Sequence, residues 1–269
     1  MTLYANTPKT LTISDLMAMK QAGEKITCLT AYDASFSALL DQAGIDILLI
    51  GDSLGMVIQG HNSTVPVNIE DMTYHSRCVA SARKRAFVVA DLPFASYATP
   101  EQALQNAARL MQGGGAQMVK LEGAKIDVIR FLGEQGIPVC SHLGLLPQSV
   151  NRLGGYKVQG REQAQAQKIL EDAVAIQEAG AGLLVLECIP ALLAAEITQN
   201  LSIPVIGIGA GVACDGQVLV LYDMLNISVG NRPRFSKNFM AEAGSVENAI
   251  KCYHQAVKAG TFPGAEHCY

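Results

Sequence analysis

The stretch IDILLIGD, residues 45–52, sets the pattern on which the fold depends. Its Ile and Leu residues form a short, almost continuous apolar run, which stops at Gly51 and Asp52. Strands that helices cover on both faces need such runs rather than an alternation of apolar and polar residues. The stretch therefore predicts a buried strand of a parallel sheet, and the carboxylate at its end requires an explanation.

Seven further runs of this kind alternate with segments of helical periodicity. They are ITCLTAYD (26–33), AFVVADLP (86–93), AQMVKLEG (116–123), IPVCSHLG (137–144), GLLVLECI (182–189), IPVIGIGA (203–210) and VLVLYDML (218–225). Eight such strands in about 250 residues predict the α/β class and a closed (β/α)8 TIM barrel. We interpret residues 1–269 as a single barrel domain with a short N-terminal extension. The eighth run is ambiguous, because it could also end a helix that begins near Asp215.

Local signals predict helices between the runs. Thr99 is typical of a helix N-cap, with Pro100 at the first helical position and Gln102 at the capping-box position. Residues 70–85 and 162–180 have the clearest helical periodicity. Two long connections, 51–69 and 141–161, follow strands, so both lie at the C-terminal face of the predicted barrel. Within the second, residues 154–160 form either a lid or a flexible surface loop.

Composition limits the classes of function. The chain has 49% hydrophobic and 16% charged residues, a net charge of −4, and seven cysteines without any Cys-x-x-Cys pair. These values argue against disorder, nucleic-acid binding, a disulfide framework and a zinc site. The only basic cluster, 83–85, is typical of a helix C-terminus. With neither a signal sequence nor an 18-residue apolar run, we expect a cytoplasmic protein that contacts no membrane.

The ends of the eight runs carry a second pattern. At or just beyond them stand Asp33, Asp52, Asp91, Glu122, His142, Glu187, Gly209 and Asp223. In a (β/α)8 barrel these ends meet at one mouth, where catalysis takes place. Asp is also an ordinary helix N-cap, and Asp33 and Asp223 are open to that reading. The repetition at the other strand ends predicts a site.

The residue types at this mouth indicate its chemistry. Lys120 and Glu122 lie two apart in an apolar strand, so both are on the same side of it. Facing outward they would be buried under helices, and facing inward they would reach the lumen; because buried charges must be paired or coordinated, we favour the lumen. Asp52, Asp91 and Glu122 would repel one another, and a hard divalent cation such as Mg²⁺ relieves that repulsion. A bidentate α-keto acid suits such an ion, with Lys120 near its carboxylate. Glu187 is then the candidate general base.

Seven motifs together resemble the ketopantoate hydroxymethyltransferase family over about residues 10–264. They are GDSLGM (51–56), ADLPF (90–94), VKLEG (119–123), HLGLLPQ (142–148), GGYKVQG (154–160), LEC (186–188) and GIGAG (207–211). The resemblance implies a (β/α)8 barrel that assembles as a homodecamer. It also implies transfer of a hydroxymethyl group from 5,10-methylenetetrahydrofolate to 3-methyl-2-oxobutanoate, with Mg²⁺, to form 2-dehydropantoate for pantothenate and coenzyme A biosynthesis.

The resemblance also assigns roles to single residues. Asp52, Asp91 and Glu122 correspond to the metal site, with Glu122 acting directly or through water. Glu187 corresponds to the proton acceptor. The ketoacid would be held by Asp52, Ser53, Asp91 and Lys120, with His142 as a further substrate-binding residue.

Other interpretations remain open at this point. A Mg²⁺-dependent lyase or mutase of the phosphoenolpyruvate mutase and isocitrate lyase group would use a similar mouth, and so would a non-catalytic ketoacid-binding barrel. The GIGAG motif lacks the spacing of a dinucleotide-binding loop, so close backbone packing is the better interpretation. Cys188 points away from Glu187 and is expected in the core. The segment His267-Cys268-Tyr269 has no assigned role.

Overall fold

The computed structural model describes residues 9–228, 230 and 232–269, and a closed barrel of parallel strands forms its centre. The strands are hydrogen-bonded in chain order, and the last pairs with the first. This confirms the predicted (β/α)8 barrel. The strands are β1 (Ile26–Thr30), β2 (Ile47–Ile50), β3 (Phe87–Asp91), β4 (Met118–Glu122), β5 (Val139–Gly144), β6 (Leu183–Glu187), β7 (Val205–Ile208) and β8 (Gly216–Leu219).

Helices surround the barrel and close its lower end. Among the described residues they are α1 (Ile13–Gln21), α2 (Ala34–Gln42), α3 (Leu54–Val57), α4 (Ile69–Ala82), α5 (Pro100–Ala108), α6 (Ile126–Glu134), α7 (Val150–Leu153), α8 (Gln163–Glu178), α9 (Ala191–Asn200), α10 (Leu221–Met224), α11 (Met240–Ala243) and α12 (Val246–Lys258). A π-helical turn, Arg109–Gly113, continues α5. In this part of the chain, no helix combines the length and apolar character needed to cross a membrane.

The predicted start of α5 is confirmed, with one difference in its cap. The Thr99 side chain accepts a hydrogen bond from the backbone N–H of Gln102, and Pro100 occupies the first turn. The Gln102 side chain, however, accepts from the backbone N–H of Ala98 rather than from that of Thr99. The reciprocal bond of the capping box is therefore shifted by one residue toward the N-terminus.

The eighth strand is displaced from its predicted position. Strand β8 begins at Gly216, and the second half of the predicted run forms the short helix α10. The prediction of a strand over 218–225 is therefore wrong in that half. The backbone N–H of Leu221 donates to Thr30 Oγ1 over 3.0 Å, which ends the β8 ladder and starts the helical turn. Asp223 consequently lies on a helix and not at a strand end.

The side chains that line the lumen change character along the barrel axis. At the N-terminal end the lumen holds apolar side chains such as Ile47 and Met118, and α1 covers that end with Leu16 and Met19. Because strand side chains alternate, residues two or four positions further along also face inward. Those inward rows end in Asp91 on β3, Lys120 and Glu122 on β4, His142 on β5, and Glu187 on β6. The fold therefore builds an apolar floor beneath a layer of ionisable groups.

Candidate active site at the barrel mouth

Asp91 and Lys120 form the centre of this ionisable layer. The pairing of β3 with β4 places the two residues side by side, and Lys120 Nζ lies 2.8 Å from Asp91 Oδ1. Both side chains are buried. Burial opposes the charge on Lys120, but the carboxylates of Asp91 and then of Asp52 and Glu122 outweigh it and raise the pKa of Lys120 above its usual value. Lys120 is therefore an ammonium ion held among carboxylates.

Asp52 and Glu122 add negative charge that Lys120 does not neutralise. The backbone N–H of Asp52 donates to Asp91 Oδ2 over 3.1 Å, so the two carboxylates belong to one cluster. Burial, followed by repulsion from Asp91, raises the pKa of Asp52 to about 7. Burial and the charge of Asp52 also raise the pKa of Glu122 well above its ordinary value. Such shifts are typical of carboxylates gathered around a ligand rather than around structural ion pairs.

Gln148 connects the carboxylates, and sequence reasoning did not assign it a role. Its side-chain Nε2 donates to Asp52 Oδ2 over 2.8 Å and to the Leu92 carbonyl over 3.0 Å. Its backbone N–H faces both oxygens of Glu122, at 3.3 and 3.1 Å. Its Oε1 accepts a 2.5 Å hydrogen bond from the buried Tyr97 hydroxyl. Gln148, on the short 3-10 helix Pro147–Ser149, therefore fixes the relative positions of two predicted metal ligands.

His142 and Glu187 face each other on the opposite side of the layer. His142 Nε2 lies 3.2 Å from Glu187 Oε2, but off the line that a hydrogen bond requires. Neither ring nitrogen of this buried histidine has a hydrogen-bond partner among the described residues. Burial lowers the pKa of His142, which favours the neutral ring. Two buried, unpartnered nitrogens beside a carboxylate are uncommon without a ligand nearby.

A close approach of the backbone explains the glycine that ends β2. A Cβ at Gly51 would lie 2.8 Å from Ser53 Oγ and 3.7 Å from Asp91 Oδ2, so a larger residue would push the Ser53 hydroxyl away from the cluster. Ser53 Oγ is also 2.8 Å from the hydroxyl of the buried Tyr32. Gly51 thus lets Ser53 and Asp91 share one side of the mouth.

Tyr156, in the segment 154–160, contacts the connection that follows β2. Tyr156 lies near the site, since burial and the carboxylates of Glu187, Asp52 and Glu122 raise its pKa. Its hydroxyl is 3.7 Å from Met56 Sδ on the connection that follows β2. The two long connections therefore contact each other through these two side chains.

Three strand-end positions from the sequence do not contribute to this cluster. Asp33 is the N-cap of α2 and accepts from the Phe36 N–H, and Asp223 on α10 bonds to Ser228. The alternative interpretation of these two residues as structural is therefore confirmed. Gly209 packs against Phe235, consistent with close packing at the GIGAG segment.

The donors at the mouth fit a hard divalent cation that retains water. Among the described residues, no three His, Cys, Asp or Glu side chains converge tightly enough to enclose an ion by themselves. Mg²⁺ does not need such an enclosure, because it usually binds one or two carboxylates and keeps several waters. Asp52 and Asp91 supply oxygen donors and an excess of negative charge in one buried cluster. A bound cation would remove the repulsion that raises the pKa of Asp52.

Comparison with known proteins identifies close relatives. A family profile described as ketopantoate hydroxymethyltransferase matches residues 10–265. A 3-methyl-2-oxobutanoate hydroxymethyltransferase from Nitrosococcus oceani is 59% identical over 96% of this chain and 99% of its own length. The enzyme of that name from Methylobacillus flagellatus is 60% identical over 94% of this chain and 98% of its own length.

Solved structures share the barrel at low sequence identity. A phosphoenolpyruvate phosphomutase from Streptomyces platensis subsp. rosaceus superposes with a TM-score of 0.61 at 14% identity, covering 80% of this chain and 83% of that one. An oxaloacetate acetylhydrolase superposes with a TM-score of 0.60 at 12% identity, covering 94% and 98%. These similarities concern the fold alone. The family profile and the near-full-length relatives decide the classification: the chain belongs to the ketopantoate hydroxymethyltransferase family of enzymes.

Proposed function

We propose that the protein transfers a hydroxymethyl group from 5,10-methylenetetrahydrofolate to 3-methyl-2-oxobutanoate, which yields 2-dehydropantoate for pantothenate and coenzyme A biosynthesis. The observation that carries this proposal is the buried layer of Asp52, Asp91, Lys120 and Glu122, with Glu187 across from it, in a chain about 59% identical to enzymes of that name. We further propose that the enzyme works in the cytoplasm as a homodecamer.

The ketoacid would bind within the ionisable layer. Lys120 is buried and charged, so it can pair with the substrate carboxylate without further desolvation of its own ammonium group. The Ser53 hydroxyl, held by Tyr32, offers a second hydrogen bond to the substrate. Asp52 and Asp91 would complete the binding site through the cation.

Asp52 and Asp91 would hold Mg²⁺ directly, and Glu122 would act through a water molecule. When bound, the ion supplies Lewis-acid polarisation of the keto oxygen and stabilises negative charge that develops there. Gln148 keeps Asp52 and Glu122 in place by donating to both of them. Their arrangement is therefore fixed before the substrate arrives, which lowers the cost of reorganisation during the reaction.

Glu187 would act as the general base. Removal of the C3 proton of the ketoacid by its carboxylate would leave an enolate, whose C3 forms the new bond to the one-carbon unit that the donor supplies. His142 lies 3.2 Å from Glu187 Oε2 and, as a neutral ring, leaves the carboxylate available to accept a proton. Water would break both C–N bonds of the donor's methylene group and release tetrahydrofolate and a one-carbon unit at the oxidation level of formaldehyde. C3 adds to that carbon, and its oxygen takes up the proton that Glu187 removed, which gives the hydroxymethyl group.

The direct test is formation of 2-dehydropantoate from the two purified substrates, with Mg²⁺ present and after treatment with a chelator. We expect product only when the donor, the ketoacid and the divalent ion are all supplied. A lyase or mutase of the phosphoenolpyruvate mutase type would instead consume its substrate without folate. A non-catalytic ketoacid-binding barrel would bind the ketoacid and form no product, and either result would contradict the proposal.

A further inference from the structure

A cavity of about 620 Å³ opens beside the mouth, between the loops that follow β3, β4 and β5 and the helix α8. Glu122 and Gln148 form part of its inner wall, so the cavity borders the ionisable layer directly. Its volume is in the range of pockets that bury a drug-sized ligand. The ketoacid is much smaller than this cavity, and nothing in the proposed chemistry of that substrate uses the space.

The cavity also reaches the residue that is paired with the proposed base in the barrel. Gly144, on its wall, pairs with Glu187, and an added Cβ at Gly144 would lie only 2.2 Å from the Glu187 carbonyl oxygen. Gly144 has a φ of +94°, in the region that favours glycine. A ligand in the cavity would therefore have Glu122 on one side and, on the other, Gly144, the residue that pairs with Glu187.

The outer part of the cavity is basic. Lys125 and Arg152 line it, and neither forms an ion pair with any described residue. Lys168, also on the wall, is 2.8 Å from Asp172 and is thereby neutralised. Two uncompensated cations on one wall favour a ligand that carries carboxylates at the end remote from the mouth.

An aromatic ring and a strained turn complete the wall. Phe94 lines the cavity, and its side chain remains 48% exposed. The following residue, Ala95, has a φ of +60°, a conformation that non-glycine residues seldom adopt. The Ser96 N–H and hydroxyl both donate to the Pro93 carbonyl and hold this turn closed. The strained turn thus keeps the Phe94 ring available to stack on a planar group.

We infer that this cavity binds the reduced-folate donor, with Phe94 against its aromatic part and Lys125 and Arg152 at its glutamate carboxylates. The inference rests on the proposed function, since it assigns a place to the second substrate of that reaction. A reduced folate has both required features, a planar ring system and an anionic tail. The tail would point outward and the one-carbon unit inward, toward Glu122 and the β6 end.

The test is calorimetric titration of tetrahydrofolate into the holoenzyme in the presence of 3-methyl-2-oxobutanoate. For the double variant Lys125→Glu/Arg152→Glu, loss of two charge-assisted contacts is expected to raise Kd about tenfold or more. Phe94→Ala is expected to raise it about fivefold, through loss of stacking. The matched controls are Arg130→Glu, an exposed cation on α6 outside the cavity, and Tyr74→Ala, an exposed aromatic residue on α4.

Unchanged affinity in both cavity variants would overturn the inference, as would equal losses in the controls. A separate experiment keeps this failure distinct from failure of the proposed function. If the wild-type enzyme exchanges the C3 proton of the ketoacid without folate while both cavity variants bind tetrahydrofolate normally, only the cavity assignment is wrong. If the wild type does not exchange that proton, the proposed function fails and the inference fails with it.

Discussion

Asp46 and Asp52 flank the same strand, β2, and their environments are opposite. Both are buried, with exposed fractions of 0% and 4%. Asp46, before the strand, lies 2.6 Å from Arg85 and 2.8 Å from Lys258, and it accepts from Thr27. Burial alone would raise the pKa of Asp46, but these bonds outweigh it and lower that pKa. Burial and Asp91 instead raise the pKa of Asp52 to about 7.

The difference separates a structural end of the barrel from a functional one. At the N-terminal end the buried Asp46 has cationic partners, and so does the partly buried Asp215, which lies 2.6 Å from Lys20. At the C-terminal end several carboxylates gather around the ammonium group of Lys120. The folded protein therefore retains repulsion between buried carboxylates. Sites that bind a cation or act on a substrate commonly retain such unfavourable charge. Each of the following predictions tests this division.

The largest expected effect is the loss of turnover in Glu187→Gln. Loss of the general base should lower turnover about 1000-fold, which corresponds to about 4 kcal/mol in the activation barrier. Because Gln has the same size, the free energy of unfolding should change by less than about 0.5 kcal/mol. Steady-state kinetics and urea unfolding measure the two effects, and Glu196→Gln on the surface of α9 is the control. Turnover above a tenth of the wild-type value would contradict the role of Glu187.

Asp46→Asn should have the largest effect on stability. Its neutralisation leaves Arg85 without its carboxylate and Lys258 with Glu24 alone, at a cost of about 3 kcal/mol in the free energy of unfolding at pH 7. Since the folded pKa of Asp46 is lowered, its contribution is present above the unfolded value of about 4 and is lost as pH falls below it. Urea unfolding from pH 7 to pH 3 measures the loss of stability and its pH dependence, and Asp127→Asn, at an exposed position, is the control. If the loss of stability in Asp46→Asn did not depend on pH, the ionised carboxylate of Asp46 would not be its cause.

Mg²⁺ should stabilise the protein only by binding at the barrel mouth. An ion at a hundredfold excess over its Kd adds about 2.7 kcal/mol to the free energy of unfolding. We expect this increment in the wild type and in Asp46→Asn, and its loss in Asp91→Ala, which removes a proposed ligand. Urea unfolding with and without Mg²⁺ measures it. An equal increment in Asp91→Ala would remove that residue from the metal site.

The smallest expected effect is a gain in stability rather than a loss. With a chelator present, Asp52→Asn should raise the free energy of unfolding by about 1 kcal/mol, because a buried repulsion disappears while the side chain can still accept from Gln148. The same variant should lose activity. Urea unfolding at pH 8 is the measurement. Destabilisation as large as that of Asp46→Asn would mean that the carboxylates at both ends of β2 stabilise the fold.

The sequence predicts the barrel well because burial on both faces leaves a simple signature. Seven of the eight apolar runs contain the strand that the structure has, and only β8 is displaced. There a hydrogen bond to the side chain of Thr30, at the end of β1, ends the strand. A contact between residues so far apart in the chain leaves no periodicity in the local sequence.

The site was predictable where strand register alone decides position. Asp91, Lys120, Glu122, His142 and Glu187 lie in inward rows, and register brings them together. Gln148 and Tyr97 come from connections between strands and helices, and the path of such a connection depends on tertiary contacts. The only local signal for Gln148 was its place in the HLGLLPQ motif of a long connection. Asp33 and Asp223 follow the strand-end rule in sequence but serve as a helix cap and a loop contact.

The most direct measurement of the central claim is proton exchange at C3 of 3-methyl-2-oxobutanoate in D₂O, followed by NMR with enzyme and Mg²⁺ but without folate. If the mouth is an enolising site with Glu187 as its base, the C3 proton signal should disappear with the wild type. The rate should fall about 1000-fold with Glu187→Gln. No exchange with the wild type, or equal rates for the two proteins, would contradict the claim.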